Sequence, residues 1–220
     1  MLAIRNTPLA LLIAAMIALG GARAAGGAYF MSAFDAREAL SRGLESPLAL
    51  SEAADRLRVS TMIWPHDARA WDALGALSLD AAFNDETRAA APAIAAFGEA
   101  IARAPGQPLF RMRHAAAFHA ADRDDEAIGA LRASLDAGAF HPQATRFRFS
   151  LGVALWPSLP EDLRIQTALQ GAAALRRGKD GLRFVARNLG VGPAELRIAL
   201  FSLLTLDERA ALIAALRELK

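Results

Sequence analysis

The sequence contains no cysteine, which excludes disulfides, thiolate metal sites and cysteine nucleophiles. Lysine is nearly absent: among 25 basic residues only Lys179 and Lys220 are lysine, and the rest are arginine. Long β-branched runs are also lacking, while Ala, Leu and Arg, all strong helix formers, dominate. No G-x-S-x-G, P-loop or Rossmann glycine pattern occurs, so no enzyme class announces itself. The histidines are His66, His114, His119 and His141. None sits in H-E-x-x-H or at i, i+4 spacing, so a helical zinc site has no support. The expectation is an all-α protein that is not an enzyme and needs no metal or cofactor. At 220 residues and 54% hydrophobic, it is long enough to bury a sizeable core.

The N-terminus has the order of a secretory leader: Arg5, the apolar stretch TPLALLIAAMIAL, then Ala22 and Ala24 in an A-x-A arrangement. The uncharged run from residue 7 to 22 is 16 residues, short of the roughly 20 that span a bilayer. Apolar sequence resumes after Arg23, and arginine can snorkel at a membrane face. Residues 1–24 therefore read as a signal peptide cleaved after Ala24 or as a retained anchor. Either one predicts export to the periplasm, or an inner-membrane anchor with the remainder in the periplasm.

A spacing pattern recurs further on. Ala53, Leu57 and Ser60, then Ala93, Phe97 and Ala100, then Ala127, Leu131 and Ser134 each read small-x3-large-x2-small. Pro65 and Pro105 follow the first two sets five residues on, and Ala139 stands in the third. Proline ends a helix by lacking an N–H and clashing with the preceding turn. After Pro65, Trp71, Leu74 and Gly75 fall at the fourth, seventh and eighth places counted from Ala68. The matching places after Pro105 are Arg111, His114, Ala115 and, at the eleventh, Phe118. Ala93 to Ala127 is 34 residues; Ala53 to Ala93 is 40, with the insertion placed in AAFNDETRAAAP.

These residues resemble the tetratricopeptide repeat, whose first helix carries W-x2-L-G and whose second carries A-x3-F with a closing proline. Departures are Ser78 for an aromatic, Arg111 for Trp and His114 for Leu. The resemblance implies antiparallel helical hairpins stacked as a short solenoid with a degenerate helical C-terminal region. Residues 25–46 would be a linker and first helix, 47–141 the repeats, and 142–220 degenerate repeats or a capping bundle. Trp71 would be packed between helices and Gly75 would permit a close crossing. Further on, Pro193 and Asp207 suit helix starts, while Gly178 and Gly190 suit helix ends. By family position, a partner-binding groove would be lined by Arg69, Asp72, Ala76, Leu79, Leu109, Met112, Ala116 and His119.

Charge is unevenly shared. Residues 25–142 carry 11 basic and 16 acidic residues, net −5; residues 143–220 carry 12 and 7, net +5. Arg176, Arg177, Lys179, Arg183 and Arg187 form a candidate basic patch for an acidic partner, an anionic lipid or a glycan. The same patch could instead be a solvated face pairing with the chain's own acids. DRDDEA (122–127) reads as a turn whose acids favour a helix N-terminus. FVARNLGVGPAELRIAL (184–200) resembles a DNA-binding helix-turn-helix, but no base-reading side chain opens its second helix and nucleic acid is not expected. The expected function is a non-catalytic adaptor or scaffold for a protein or peptide partner in a bacterial envelope assembly. Polysaccharide export, secretion and outer-membrane assembly are settings suggested by analogy alone. The alternatives are a membrane-tethered regulator with a C-terminal helix-turn-helix, and an enzyme without recognisable motif.

Overall fold

A computed structural model describes residues 7–41, 47–84 and 90–219. Among the described residues there are eleven α-helices, one 3-10 turn at Trp156–Ser158, and no strand. The chain is all-α. It divides into two compact units, Met1–Pro105 and Gly106–Lys220.

The first unit holds α1 (Thr7–Ser41), α2 (Pro47–Ile63), α3 (Ala68–Asn84) and α4 (Ala91–Arg103). Helices α1 and α2 pair, as do α3 and α4, and α2 also packs on α3. Residues 85–89 of the expected insertion, and 42–46 of the expected linker, lie outside the described residues. In the second unit are α5 (Pro108–Ala120), α6 (Asp124–Ala137), α7 (Pro142–Ala154), α8 (Glu161–Leu175), α9 (Lys179–Val191), α10 (Ala194–Ser202) and α11 (Leu206–Arg217). Here α5 pairs with α6 and α7 with α8, while α5 also packs on α7, and α8 on α9 and α10. Prolines stand at or next to the first residue of α4, α5 and α7, where the missing N–H costs nothing.

The spacing pattern supplies the cores. All nine of its residues are buried, from 0% exposure at Ala93, Phe97, Ala100, Ala127 and Ser134 to 2% at Leu57. A Cβ on Gly75 would come within 2.7 Å of the Phe97 ring, so α3 and α4 cross as closely as only glycine permits. Ser60 and Ser134 hold the same place in the pattern and make the same bond. Ser60 Oγ donates to the Gly26 carbonyl at 2.8 Å, and Ser134 Oγ to the Pro108 carbonyl at 2.6 Å. Gly26 thus corresponds to Pro108, the first residue of α5, although α1 already runs helical from Thr7.

Ahead of Gly26, residues 11–25 of α1 are exposed except for half-buried Ala22, and the segment Leu11–Ala33 is long and apolar enough to cross a membrane.

Trp71 packs, half-buried, against the core of the first unit; its indole N–H donates to the Pro65 carbonyl at 3.0 Å and Arg103 lies 5.0 Å over its ring. Other local expectations need correction. Helix α9 runs through Gly190 and closes at Gly192. Gly178, at φ 86°, opens α9 rather than closing α8. Asp207 stands in the first turn of α11, as expected, and the helix is capped by Thr205, whose hydroxyl accepts from the Glu208 N–H while the Glu208 carboxylate accepts from the Thr205 N–H. That reciprocal pair satisfies two otherwise orphaned donors. In DRDDEA, Asp124, Asp125 and Glu126 stand in the first turn of α6 without a side-chain cap, and Asp122 precedes the helix at φ 57°.

Candidate functional site

The residues assigned to a groove fall in both units. Within the first unit, Asp72, Ala76 and Leu79 are buried, and only Arg69 is exposed. Residues 72–77 of α3 are all buried, more than a full helical turn, because α1, α2 and α4 all pack against this helix. Arg69 is held by Asp67 at 3.2 Å and lies 5.7 Å over the Phe30 ring. Within the second unit, Met112 is 2% exposed and belongs to the core with Ala115, Ala127 and Leu131. Leu109, Ala116 and His119 are half-buried. The His119 ring meets Asp124 at 2.7 Å.

The groove assignment is therefore corrected at Asp72, Ala76, Leu79 and Met112, whose side chains are enclosed. The physical reason is visible on α5. Pro108, Met112 and Ala115 are buried on one side, and Phe110 and Ala117 on nearly the opposite side. A first helix embedded on two faces has little surface left to offer.

The basic patch separates into distinct roles. Arg176 forks onto Glu208, with Nε at 2.8 Å from Oε1 and Nη2 at 3.3 Å from Oε2. That bond from Arg176, then the Thr205 N–H, holds the Glu208 carboxyl down at about 2, and raises the Arg176 guanidinium in turn. Arg177 donates to the Pro142 carbonyl. These two are structural. Lys179 lines a shallow cleft of about 430 Å³ with Arg176, Asp207 and Glu208.

Arg183 and Arg187 remain. They stand one turn apart on α9, opposite its buried Gly181, Val185, Ala186 and Leu189. Gly181 lets α9 approach α8 closely, since any Cβ there would collide with the Ala174 carbonyl oxygen. Together with Arg146 from α7 they line a cleft of about 590 Å³, closed by Phe184, Asp180 and Ala215 and by Glu218 and Leu219 beyond α11. Arg146 lies 5.6 Å over the Phe184 ring, which itself meets the core ring of Phe149 at 6.1 Å. Among the described residues none of the three arginines forms an ion pair. Three guanidinium groups against two carboxylates leave this cleft with excess positive charge.

Arg146 was not singled out from the sequence, and neither was Arg148, two residues on. Two positions on a helix differ by about 200°, so these arginines point to opposite sides. Arg148 is 1% exposed. Its Nε donates to Ser134 Oγ at 3.0 Å, Nη1 to the Gly138 and Ala139 carbonyls at 2.8 and 2.7 Å, and Nη2 to the Ser134 carbonyl. Those carbonyls lie at and just beyond the C-terminus of α6, where the helix dipole favours a cation; Gly138 also accepts from the His141 N–H and Ala139 from the Gln170 amide. Burial pushes the guanidinium down to about 10, still charged at neutral pH. Arg148 is a structural plug.

The turn proposed as helix-turn-helix joins α9 to α10. Arg197, on α10, donates to the Leu189 and Gly192 carbonyls at 3.1 and 3.3 Å.

No family model, curated protein or solved structure matches this chain. The cleft geometry alone supports a functional reading.

Proposed function

We propose that this chain is a non-catalytic adaptor of a bacterial cell envelope, binding an acidic protein or peptide at the cleft between α7, α9 and the end of α11. The observation that carries this reading is the convergence of Arg146, Arg183 and Arg187 on one cleft with no ion pair engaging them. Arginine suits such a role because its planar fork matches a carboxylate in two bonds. The helical hairpins act as the rigid support, and their shared core register supports a short tetratricopeptide-like array. The apolar N-terminal helix delivers the chain to the membrane or through it.

Reversing both exposed charges, Arg183→Glu with Arg187→Glu, tests the cleft. Capture of the partner should weaken about tenfold at roughly 0.1 M salt. The difference should shrink near 1 M, where charges are screened beyond about 3 Å. A partner retained equally by the reversed chain at low salt contradicts the reading.

A second reading keeps the helical units on the cytoplasmic side. Arg23, Arg37 and Arg42 follow the apolar stretch whereas only Arg5 precedes it, and arginine is enriched on cytoplasmic flanks. An alkaline phosphatase fusion following Ser41 is active in the first reading and inactive in this one.

A further inference from the structure

Helix α1 joins two chemically different halves without a break. From Gly26 onward it belongs to a hairpin: a Cβ on Gly26 would lie 2.8 Å from Trp64 Cβ, Ser60 donates to the Gly26 carbonyl, and Arg56 lies within 3.5 Å of the Ser32 carbonyl. Ahead of Gly26, residues 11–25 are exposed apart from half-buried Ala22, because α2 ends at Ile63, level with Gly26. The part of α1 ahead of Gly26, residues 7 to 25, is 19 residues long. At 1.5 Å per residue it is about 28 Å long, close to the roughly 30 Å of a bilayer's hydrocarbon. Its Leu11, Leu12, Met16 and Ile17 are 58–70% exposed.

The end of the hairpin beside this stretch has its own character. Met62 is 80% and Tyr29 42% exposed. Trp64 is half-buried, with its ring edge-on to His66 at 5.7 Å. Arg23 stands one turn before Gly26, exposed. The acids of α2, Asp55 and Glu52, lie farther along, seven and ten residues from Met62. Tyrosine and tryptophan favour the level of lipid headgroups, and an arginine one turn inside can extend its guanidinium to them.

We propose that α1 is retained as a membrane span and that Arg23, Tyr29, Met62 and Trp64 form a collar seated in the lipid headgroup layer. This rests on the reading that the leader brings the chain to a membrane. The absence of any linker between span and hairpin fixes the collar's depth, since a continuous helix transmits its position rigidly. The first hairpin then stands directly on the bilayer surface.

The cysteine-free sequence makes the test clean. Met62→Cys and, as a deeper-water control, Glu52→Cys are each labelled with an environment-sensitive fluorophore. The full-length chains are reconstituted into phosphatidylcholine–phosphatidylglycerol vesicles carrying lipids spin-labelled near the headgroup. Position 52 lies about 15 Å along α2 from position 62. The label at 62 should lose most of its emission and the label at 52 should keep it. Equal emission at both positions in vesicle-bound protein overturns the collar. The intact mass of the protein extracted from its native membrane should begin at Met1; a start at Ala25 overturns the retained span. An active phosphatase fusion combined with either negative result leaves the export reading standing while this inference falls.

Discussion

Gly75 and Arg148 show how much single positions decide in this chain. At Gly75 the Phe97 ring occupies the place of a Cβ. Alanine there would gain about 1 kcal/mol of helix propensity, but overpacking typically costs about 1–3 kcal/mol. Gly75→Ala should therefore be net destabilising, by up to about 2 kcal/mol, read by urea unfolding. Adding Phe97→Leu should recover part of that loss. If Gly75→Ala is neutral, the close crossing of α3 and α4 is not what holds them. Arg148→Leu should also destabilise, because the Ser134 carbonyl would lose its donor, while the Gly138 and Ala139 carbonyls would keep the His141 N–H and the Gln170 amide. A buried acceptor left without a partner costs about 1–3 kcal/mol, so a loss of that order is expected in the melting curve. A lysine in its place cannot reach three carbonyls and a hydroxyl together, and should rescue little.

Among elements, α11 offers a pH-dependent test. Its start depends on Thr205 and Glu208, and the Glu208 carboxyl is held at about 2 against an ordinary value of 4.5. A depressed acid contributes stability above its unfolded value and loses it as protonation proceeds. Stability should therefore fall as pH drops from about 4.5 toward 2, and Glu208→Gln should flatten that part of the profile. The contribution is modest, below about 1 kcal/mol, since the Arg176 partner is exposed to solvent. An unchanged acid limb in the glutamine variant would show that this pair does not couple to folding.

The same elements show what a sequence can and cannot disclose. The hairpins near 68–103 and 108–137 were legible because three second helices repeat one size pattern and prolines mark their ends. The α7/α8 pair broke the pattern for a physical reason. Here the large residue, Phe149, is on the first helix and the small one, Gly171, on the second, with a Cβ on Gly171 only 2.6 Å from the ring. Knob and hole have changed places, so size complementarity survives while the spacing signal vanishes. The T-x-x-E start of α11 was present in the sequence as Thr205 to Glu208, and Asp207 drew attention from it. Burial of Asp72 and Met112 could not be read from family position, because it depends on how many neighbours cover α3 and α5. Arg146 carried no local signal at all; it joins Arg183 and Arg187 only through the packing of α7 beside α9.

For the molecule as a whole, the structure moves the candidate contact away from the first helices of the hairpins. The spacing pattern builds the core, and the free charge gathers on the C-terminal helices. Of the five basic-patch residues, Arg176 and Arg177 are absorbed by Glu208 and by a backbone carbonyl and Lys179 lines a different cleft, so Arg183 and Arg187, with Arg146, are the proposed contact. The most direct test places a photo-crosslinking side chain at Asp180, inside the cleft, and another at Ile198, which is 72% exposed on α10 and does not line it. Irradiation in living cells should give a discrete protein adduct from position 180 and none from 198. The adduct should disappear when Arg183→Glu and Arg187→Glu are added. An adduct from 180 that survives the double reversal, or one that forms only from 198, would contradict the cleft as the site of binding.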